Sequence, residues 1–383
     1  MKTMRLGDIA TYINGYAFKP EDRGEKGLPI IRIQDLTGSF DNPGFYDGDY
    51  PAKVEINDGD ILISWSASLG VYIWNRGKAL LNQHIFKVVF DKAEVDKMYF
   101  VFAIQYYLKE MERKTHGATM KHIVKKDFDN TEIPFPKIEK QIKIAKELST
   151  ISRMIEYHRQ QLQKLDELVK SRFIELFGDP ERNPKKWPVV SITEIIRGKV
   201  SNGFFAKRDA YRNDGNVQVL GVANIVNRMY SNIEGLPRTN ATQAEKEKYK
   251  VKYGDMLFCR SSLVAEGIGK ASIVPQDAPQ NVLFECHVIR LPLDLQKCVP
   301  EFVQALSTTP YFRRQIIAQS KTATMTTIGQ DGILKAAIIL PPVELQQEFL
   351  RFVKQTDKSK IAVQQALDKA QLLFDSLMQK YFG

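Results

Sequence analysis

The chain repeats itself over a domain-sized interval. Residues 118–178 align with residues 323–383 at a constant offset of 205 and without a gap. This period is far longer than the roughly 20–50 residues of solenoid repeats, so it indicates two copies of one unit. Two such units can build an object with an internal two-fold axis, and the commonest partner with its own approximate two-fold is DNA. Matching segments include Ala118-Thr119-Met120 with Ala323-Thr324-Met325, Lys164 with Lys369, Ser171 with Ser376, and Phe177-Gly178 with Phe382-Gly383.

Upstream of this stretch the repeat is looser. Asn14-Gly15-Tyr16 matches Asn202-Gly203-Phe204 at an offset of 188. Gly59-Asp60-Ile61-Leu62 matches Gly254-Asp255-Met256-Leu257 at an offset of 195. Loops therefore differ in length between the copies, which is tolerated at a protein surface. Each copy has a variable part followed by a part of fixed length.

Composition narrows the class of protein. At 383 residues, with a hydrophobic fraction of 43%, the chain can form two or three globular domains. Its net charge of +10 favours a polyanionic partner to a moderate degree. The three cysteines lie in the second copy and form no Cys-x-x-Cys motif, which predicts reduced structural thiols. No apolar run approaches about 18 residues and there is no hydrophobic leader, so we expect a cytoplasmic protein without a membrane segment.

The fixed-length part of each copy predicts a long helix, over residues 136–178 and 341–383. Both segments open with proline, close with glycine and carry apolar residues at alternating intervals of three and four. A helix of about 40 residues is about 60 Å long and cannot bury such a stripe alone, so we expect an antiparallel coiled coil. The alternative is that each helix packs on its own domain. The predicted seam residues are Leu148, Ile151, Ile155, Leu162, Leu165, Val169, Val363, Leu367, Phe374 and Leu377.

The variable parts, residues 1–135 and 188–340, are predicted to be mixed α/β domains, and the linker between the copies covers residues 179–187. The fold class is therefore α+β, with two such domains in tandem, each followed by a long helix. One helix is expected near residues 99–111, and its counterpart over residues 301–319. Predicted strands are Leu28–Ile33, Ile61–Trp65, Val71–Trp74, Ile85–Phe90, Val217–Val222, Met256–Cys259, Ala271–Val274 and His287–Leu291.

The order of motifs in both copies resembles that of a type I restriction–modification specificity subunit. Each motif alone is weak, but their order, their double occurrence and the two register-matched helices are specific together. The resemblance covers essentially the whole chain. In the first copy the motifs are Leu6-Gly7-Asp8-Ile9, Asn14-Gly15-Tyr16-Ala17-Phe18, Gly59-Asp60-Ile61-Leu62, Asn82-Gln83-His84, Ala118-Thr119-Met120 and Pro134-Phe135-Pro136. The second copy departs at Cys286-His287 and lacks the His116/His122 pair.

This resemblance implies a function and a set of partners. Two target recognition domains would each read one half of a split sequence in double-stranded DNA, and the coiled coil would set the distance between the half-sites. Two methyltransferase subunits would dock on the chain, joined by motor-nuclease subunits in the restriction complex. S-adenosylmethionine, ATP and Mg²⁺ would bind only to those partners, so this chain would have no cofactor of its own.

Catalytic motifs are missing from the sequence. There is no phosphate-binding glycine loop, no Asn-Pro-Pro-aromatic segment of an amino-methyltransferase and no nuclease core, so we expect a non-catalytic subunit. The scattered histidines predict no metal site. Asp60 and Asp255 follow glycines at strand starts and are expected to bond within turns. His84 and His287 occupy equivalent places, where the residues leave open a core or strand-edge position or a DNA contact.

The polar, basic loops are the predicted binding surface. Lys, Arg, Ser and Thr suit phosphate contacts, and Arg and Gln can also bind base edges. The alternative is an ordinary solvated basic surface. In the first copy the candidates are Tyr16, Lys19, Ser64, Ser66, Ser68, Lys114, Thr115, His116, Thr119, Lys121, His122 and Lys125. In the second copy they are Asn202, Phe204, Lys207, Arg208, Arg260, Ser261, Arg313, Arg314, Lys321, Thr322 and Thr324.

The sequence thus favours a DNA-reading subunit of a type I restriction–modification enzyme. Other hypotheses are a specificity subunit of a methylation-only or other phage-defence complex, a self-sufficient DNA methyltransferase or nuclease, and a coiled-coil scaffold that does not touch DNA. The missing catalytic motifs argue against the enzyme, and the charge and paired basic loops argue against the scaffold.

Overall fold

The computed structural model describes residues 2–38, 44–114 and 123–383. The chain forms two compact units: the first comprises residues 1–160 with 364–383, and the second comprises residues 161–363. Five predicted DNA-contact residues lie outside the described residues, as do the side chains of Lys114 and Arg208. These five are Thr115, His116, Thr119, Lys121 and His122.

The chain contains two long helices and several short ones. The two predicted long helices are confirmed, and each has 40 residues. The helices are α1 (Leu6–Ile9), α2 (Ile33–Thr37), α3 (Lys97–Lys114), α4 (Lys125–Asn130), α5 (Ile138–Phe177), α6 (Gln243–Tyr249), α7 (Pro300–Ser307), α8 (Pro310–Ala318), α9 (Gln330–Leu334) and α10 (Val343–Phe382).

The described residues of the first unit form three small sheets. Its strands are β1 (Thr3–Arg5), β2 (Thr11–Asn14), β3 (Leu28–Ile31), β4 (Phe45–Tyr46), β5 (Glu55–Ile56), β6 (Ile61–Ser64), β7 (Gly70–Ile73), β8 (Ala79–Leu81), β9 (Ile85–Val89) and β10 (Glu132–Pro134). They pair in the orders β2-β9-β6-β7, β4-β3-β8-β5 and β1-β10. Strands β3 and β8 run parallel, and the other pairs are antiparallel.

The second unit repeats this topology. Its strands are β11 (Val189–Ser191), β12 (Ser201–Asn202), β13 (Val217–Leu220), β14 (Arg238–Thr239), β15 (Asp255–Cys259), β16 (Ser261–Ser262), β17 (Ala271–Ile273), β18 (Val282–Phe284), β19 (Val288–Pro292), β20 (Lys321–Thr322), β21 (Thr326–Thr327) and β22 (Ala337–Ile339). The order β12-β19-β15-β17 matches the first sheet of unit 1, and β13 pairs with β18 in parallel as β3 does with β8. The structure therefore confirms the α+β class with two tandem mixed domains.

One helix prediction is wrong in detail. A single helix was expected over residues 301–319, and the structure instead has α7 and α8. Thr309 accepts a hydrogen bond from the Phe312 N–H through its side chain, and Pro310 occupies the first position of α8. A capping threonine followed by proline starts a new helix, because proline disfavours helical backbone in the residue before it.

The C-terminal helix completes the core of the first unit. Phe374, Met378 and Phe382 of α10 are buried in one cluster with Phe100 and Ile104 of α3 and with α5 residues such as Leu148. Tyr107 donates a hydrogen bond from its hydroxyl to the Phe382 carbonyl at 3.1 Å, and Tyr106 donates one to the Gln379 side chain at 2.9 Å. Residues 364–383 are therefore part of this core.

The central helix completes the core of the second unit in the same way. Phe177 is fully buried, with its ring centroid 4.7 Å from that of Phe302 and 5.7 Å from that of Phe349. Phe173 stacks on Phe302 at 5.7 Å. Val169 joins this cluster, and its equivalent in the repeat is Phe374. Each compact unit thus contains the start of one long helix and the end of the other.

Within each unit the two helix segments run antiparallel. In unit 2, Asp166 pairs with Lys360 at 2.6 Å and Arg172 pairs with Glu348 at 2.6 Å, so residue numbers rise along one helix as they fall along the other. In unit 1, Tyr381 donates a hydrogen bond to Glu147 at 2.6 Å. The seam residues Leu148, Ile151, Ile155, Val169, Phe374 and Leu377 are buried, and Leu162, Leu165, Val363 and Leu367 are half-buried.

Two glutamines at equivalent positions of the repeat form hydrogen bonds at the starts of the long helices. Gln141 accepts a hydrogen bond from the Asp96 N–H at 3.1 Å and donates one to the Pro136 carbonyl at 2.8 Å. Gln346 makes the equivalent pair with the Val299 N–H and the Pro341 carbonyl, both at 2.8 Å. Both side chains are buried, so their identity in the two copies follows from an equivalent structural role.

None of the helices in the described ranges has the length and hydropathy needed to cross a membrane.

Candidate nucleic-acid interface

Three loops of the first unit are tied together by backbone hydrogen bonds. The Gln83 N–H donates to the Tyr16 carbonyl at 2.9 Å, and the Trp65 N–H donates to the His84 carbonyl at 3.2 Å. The Ile123 N–H then donates to the Trp65 carbonyl at 3.0 Å. We call these loops the loop framework of the unit. They comprise residues 15–16, 65–68 and 82–84.

The second unit repeats two of these three hydrogen bonds, and its bridge between Phe204 and Glu285 corresponds to the bridge between Tyr16 and Asn82. Arg260 occupies the place of Trp65, and its N–H donates to the His287 carbonyl at 2.8 Å. The Ile328 N–H donates to the Arg260 carbonyl at 3.0 Å, as Ile123 does to Trp65. The loops of this framework comprise residues 203–205, 260–264 and 285–287. Backbone geometry is therefore repeated between the units although the side chains differ.

A glycine permits the closest approach in each loop framework. A Cβ on Gly15 would lie 2.0 Å from the Asn82 carbonyl oxygen, and one on Gly203 would lie 2.1 Å from that of Glu285. Both distances are far below van der Waals contact, so no other residue fits without moving backbone. This explains why glycine occurs at this position in both copies.

The side chains on the shared loop framework differ between the units. Trp65 packs beside His84, with ring centroids 5.1 Å apart, where unit 2 has the half-buried guanidinium of Arg260. Gln83 is exposed, and its counterpart Cys286 is half-buried with a thiol pKa raised by burial. The two loop frameworks therefore present different side chains on a shared backbone arrangement.

Both framework histidines are exposed, which excludes a core position for either. His84 adopts a backbone φ of 75°, which is uncommon for a residue with a side chain. His287 shares a hydrogen bond of 2.6 Å between its Nδ1 atom and the Ser261 hydroxyl. A positive φ such as that of His84 is a form of local backbone strain, which is frequent at functional sites.

A β-hairpin extends the loop framework of unit 2. Strands β20 and β21 pair with each other, and β21 also pairs with β16, which follows Arg260. The side chains of Lys321, Thr322 and Thr324 are exposed on this hairpin. The Thr322 hydroxyl lies 3.0 Å from that of Thr326. The hairpin carries the second Ala-Thr-Met motif of the repeat.

Several other predicted contact residues are at least partly accessible. Tyr16 is 37% exposed. Lys19, Ser68 and Lys207 are exposed, and Ser66 and Asn202 are half-buried. These positions remain candidates for contact with a ligand.

Two predicted contact residues are buried instead. Ser64 is fully buried, and its hydroxyl donates to the Ser68 carbonyl at 2.5 Å. Phe204 is 5% exposed and packs with Val217 and Leu283. The side chain that faces solvent is that of Phe205, at 69% exposure. Adjacent residues in extended backbone point to opposite faces, and the sequence alone does not say which of two neighbouring phenylalanines is inward.

Other predicted contact residues form hydrogen bonds or ion pairs with residues of their own unit. Arg313 donates to the Glu266 carbonyl at 3.0 Å, and burial lowers the pKa of its guanidinium. Arg314 forms an ion pair with Glu181. Lys125 pairs with Asp129 at 2.6 Å. Ser261 is 9% exposed, because it turns towards His287.

The two glycine-aspartate turns behave as expected from the sequence. The Asp60 carboxylate accepts a hydrogen bond from the Asn57 N–H at 2.8 Å, and Asp255 accepts one from the Lys252 N–H at 3.0 Å. Burial raises the pKa of Asp255. Among the described residues, no group of three or more His, Cys, Asp or Glu side chains could hold a metal ion.

Comparison with known proteins identifies the family. The model of the type I restriction modification DNA specificity domain matches residues 1–167 and again residues 184–372. The chain belongs to this family. The double match reproduces the internal repeat, so each copy of the unit is one specificity domain.

Two curated relatives match this specificity protein over nearly its full length. It is 23% identical over 420 residues to the type I restriction enzyme EcoBI specificity subunit of Escherichia coli, covering 98% of this chain and 84% of the relative. It is 22% identical over 372 residues to the MjaVIII specificity subunit of Methanocaldococcus jannaschii, covering 93% and 86%.

Solved structures share the fold. The S subunit of a type I restriction-modification system from M. genitalium superposes with a TM-score of 0.57 at 14% identity, over 100% of this chain and 96% of that one. A chain from a study of complex assembly and conformational transition of the type I R-M system superposes with a TM-score of 0.55 at 14% identity, over 99% and 97%.

Proposed function

We propose that this specificity protein reads a bipartite DNA target, with one loop framework on each half-site. The supporting observation is that one backbone arrangement occurs twice with different exposed side chains. A repeated backbone would let both surfaces contact equivalent features of the duplex, and different side chains would select different bases. The chain acts in the cytoplasm on double-stranded DNA. The antiparallel helices would hold the half-sites apart, with an untouched spacer of about 5–8 base pairs.

The chemistry is assigned to partner subunits. Methyltransferase subunits would bind S-adenosylmethionine, and motor-nuclease subunits would use ATP and Mg²⁺. This chain would orient them on DNA and neither methylate nor cleave it. Methyl transfer from a labelled cofactor by the purified chain alone would contradict this assignment. Methylome sequencing of a host that carries the chain and a partner methyltransferase tests the whole proposal, because a single split motif should appear.

Exposed lysines of the second unit should contribute phosphate contacts. We expect Lys207→Ala or Lys321→Ala to weaken binding to all DNA sequences and to reduce the slope of log affinity against log salt by about one. Titrations at several salt concentrations measure both quantities. Lys354→Ala is the matched control, since this exposed lysine of the same unit lies on α10 and outside the loop framework. Equal slopes for all four proteins would place the DNA elsewhere.

An exposed stripe on the long helices supports docking of two copies of one partner. Lys164, Leu168 and Ser171 share one face of α5, because residues at these intervals point the same way. The identical residues Lys369, Leu373 and Ser376 occupy the equivalent face of α10. All six are exposed, with Leu168 at 48% and Leu373 at 50%. Core packing cannot explain this identity, whereas a common partner such as a methyltransferase subunit can.

The docking stripe can be tested by stoichiometry. We expect Leu168→Glu or Leu373→Glu alone to remove one of two bound methyltransferase subunits, because a carboxylate would be desolvated at an apolar contact. Native mass spectrometry of the assembled complex gives the count. Leu372→Glu is the matched control, since Leu372 is 73% exposed and its counterpart in the first copy is already Glu167. Retention of both subunits by the two stripe variants would rule out this surface.

A further inference from the structure

The second unit exposes two adjacent apolar side chains beside its loop framework. Leu263 is 82% exposed and Val264 is 59% exposed, and Leu263 is the most exposed large hydrophobic residue in the part of the chain that the structure describes. Exposed apolar groups at a binding surface are commonly covered by a ligand. This pair was not among the contact residues expected from the sequence.

Hydrogen bonds hold the loop that carries this pair. The Ser262 hydroxyl accepts a hydrogen bond from the Val264 N–H at 3.3 Å, and the Val264 carbonyl accepts one from Gly267 at 3.1 Å. Arg313 donates to the carbonyl of Glu266 at 3.0 Å, which anchors the end of the same loop. The exposure of Leu263 is therefore a feature of an anchored loop.

The equivalent loop of the first unit is different. At the offset of 195, Ser68 takes the place of Leu263 and Leu69 takes the place of Val264. Leu69 packs against the hydrophobic core of its unit. Leu263 and Val264 belong to none of the core clusters formed by the described residues. Apolar exposure at this position is thus particular to the second unit.

The surroundings of the pair suit DNA. Strand β16, from which the loop emerges, pairs with the hairpin that carries Lys321, and Arg260 precedes it. Apolar side chains on a basic surface fit the thymine C5-methyl group, which is the one apolar feature of the major-groove edges. We propose that Leu263 and Val264 contact a thymine methyl group in the second half-site. This inference rests on the proposed function and names a specificity determinant within it.

The test is a double-mutant cycle on the full chain assembled with its methyltransferase partner. Each thymine of the second half-site, on either strand, is replaced in turn by deoxyuridine, which removes only the methyl group. For the wild type we expect one position to weaken binding about four-fold, the value for one buried methyl group. For Leu263→Ala or Val264→Ala, the same replacement should have less than about half of that effect, since the apolar contact is already reduced.

Leu295→Ala is the matched control. Leu295 is an exposed leucine of the same unit, at 41%, and lies outside the loop framework. Its replacement should leave the deoxyuridine effect unchanged. The proposal is overturned if no deoxyuridine weakens wild-type binding, or if both loop variants keep the full effect. It is also overturned if these variants lose methyltransferase capture and keep their DNA discrimination, which would make the loop a protein contact. Absence of any sequence preference in the wild-type complex would instead contradict the proposed function.

Discussion

Replacing Phe177 with alanine is expected to lower the free energy of unfolding of the second unit by about 3–5 kcal/mol, the usual cost of deleting a buried aromatic ring. Phe177 lies at the end of the central helix but is fully buried among Phe173, Phe302 and Phe349. Phe382→Ala should have a similar effect on the first unit. Its ring is buried beside Tyr99, with centroids 5.3 Å apart.

Amide hydrogen exchange distinguishes the two effects. Phe177→Ala should lower the protection of the sheet that contains β15, and Phe382→Ala should lower that of the sheet that contains β6. Phe205→Ala is the control, because this ring is 69% exposed and its loss should change stability by less than about 0.5 kcal/mol. If Phe382→Ala destabilised the β15 sheet instead, the assignment of residues 364–383 to the first unit would be wrong.

Exchanging residues 1–135 for the corresponding part of another family member should change one half of the DNA target and leave the other half intact. Affinity for the original target should fall by about 10³-fold or more, towards the level of non-specific binding, because the first half-site would no longer be contacted by matching side chains. Methylome sequencing and binding titrations on both targets measure the result.

The design of this chimera follows from the contacts of α3. Tyr99, Tyr106 and Tyr107 should be retained, because they contact the end of α10 through Phe382 and Gln379. The reciprocal exchange of residues 188–340 is the matched experiment, and it should change the other half-site alone. A new sequence at both halves after a single exchange, or at neither half, would refute independent reading by the two domains.

Much of the architecture could be predicted because it depends on local signals. Proline and glycine delimit the long helices. Runs rich in β-forming residues and separated by turns locate strands β6, β7, β9, β15, β17 and β19 of the sheets β2-β9-β6-β7 and β12-β19-β15-β17. The break between α7 and α8 is also encoded locally, in the dipeptide Thr309-Pro310, which starts a new helix.

Other features could not be predicted because they depend on tertiary partners. A heptad stripe shows that Val169 and Phe374 are apolar and face one way, but it does not show whether they contact a helix or a domain core. In the same way, a serine beside a strand can be buried, as Ser64 is, or exposed, as Ser68 is. The equivalence of the two loop frameworks emerges only from hydrogen bonds between segments far apart in the chain.

Each long helix contributes residues to both compact units, and this affects folding during synthesis on the ribosome. The core of the first unit requires Phe374, Met378 and Phe382, which are translated long after residue 160. At about 5–20 residues per second, the roughly 200 intervening residues take on the order of 10–40 s. During that interval the nascent first unit lacks the α10 residues that cover its core. We therefore expect the growing chain to depend on a chaperone, although its first half is made early.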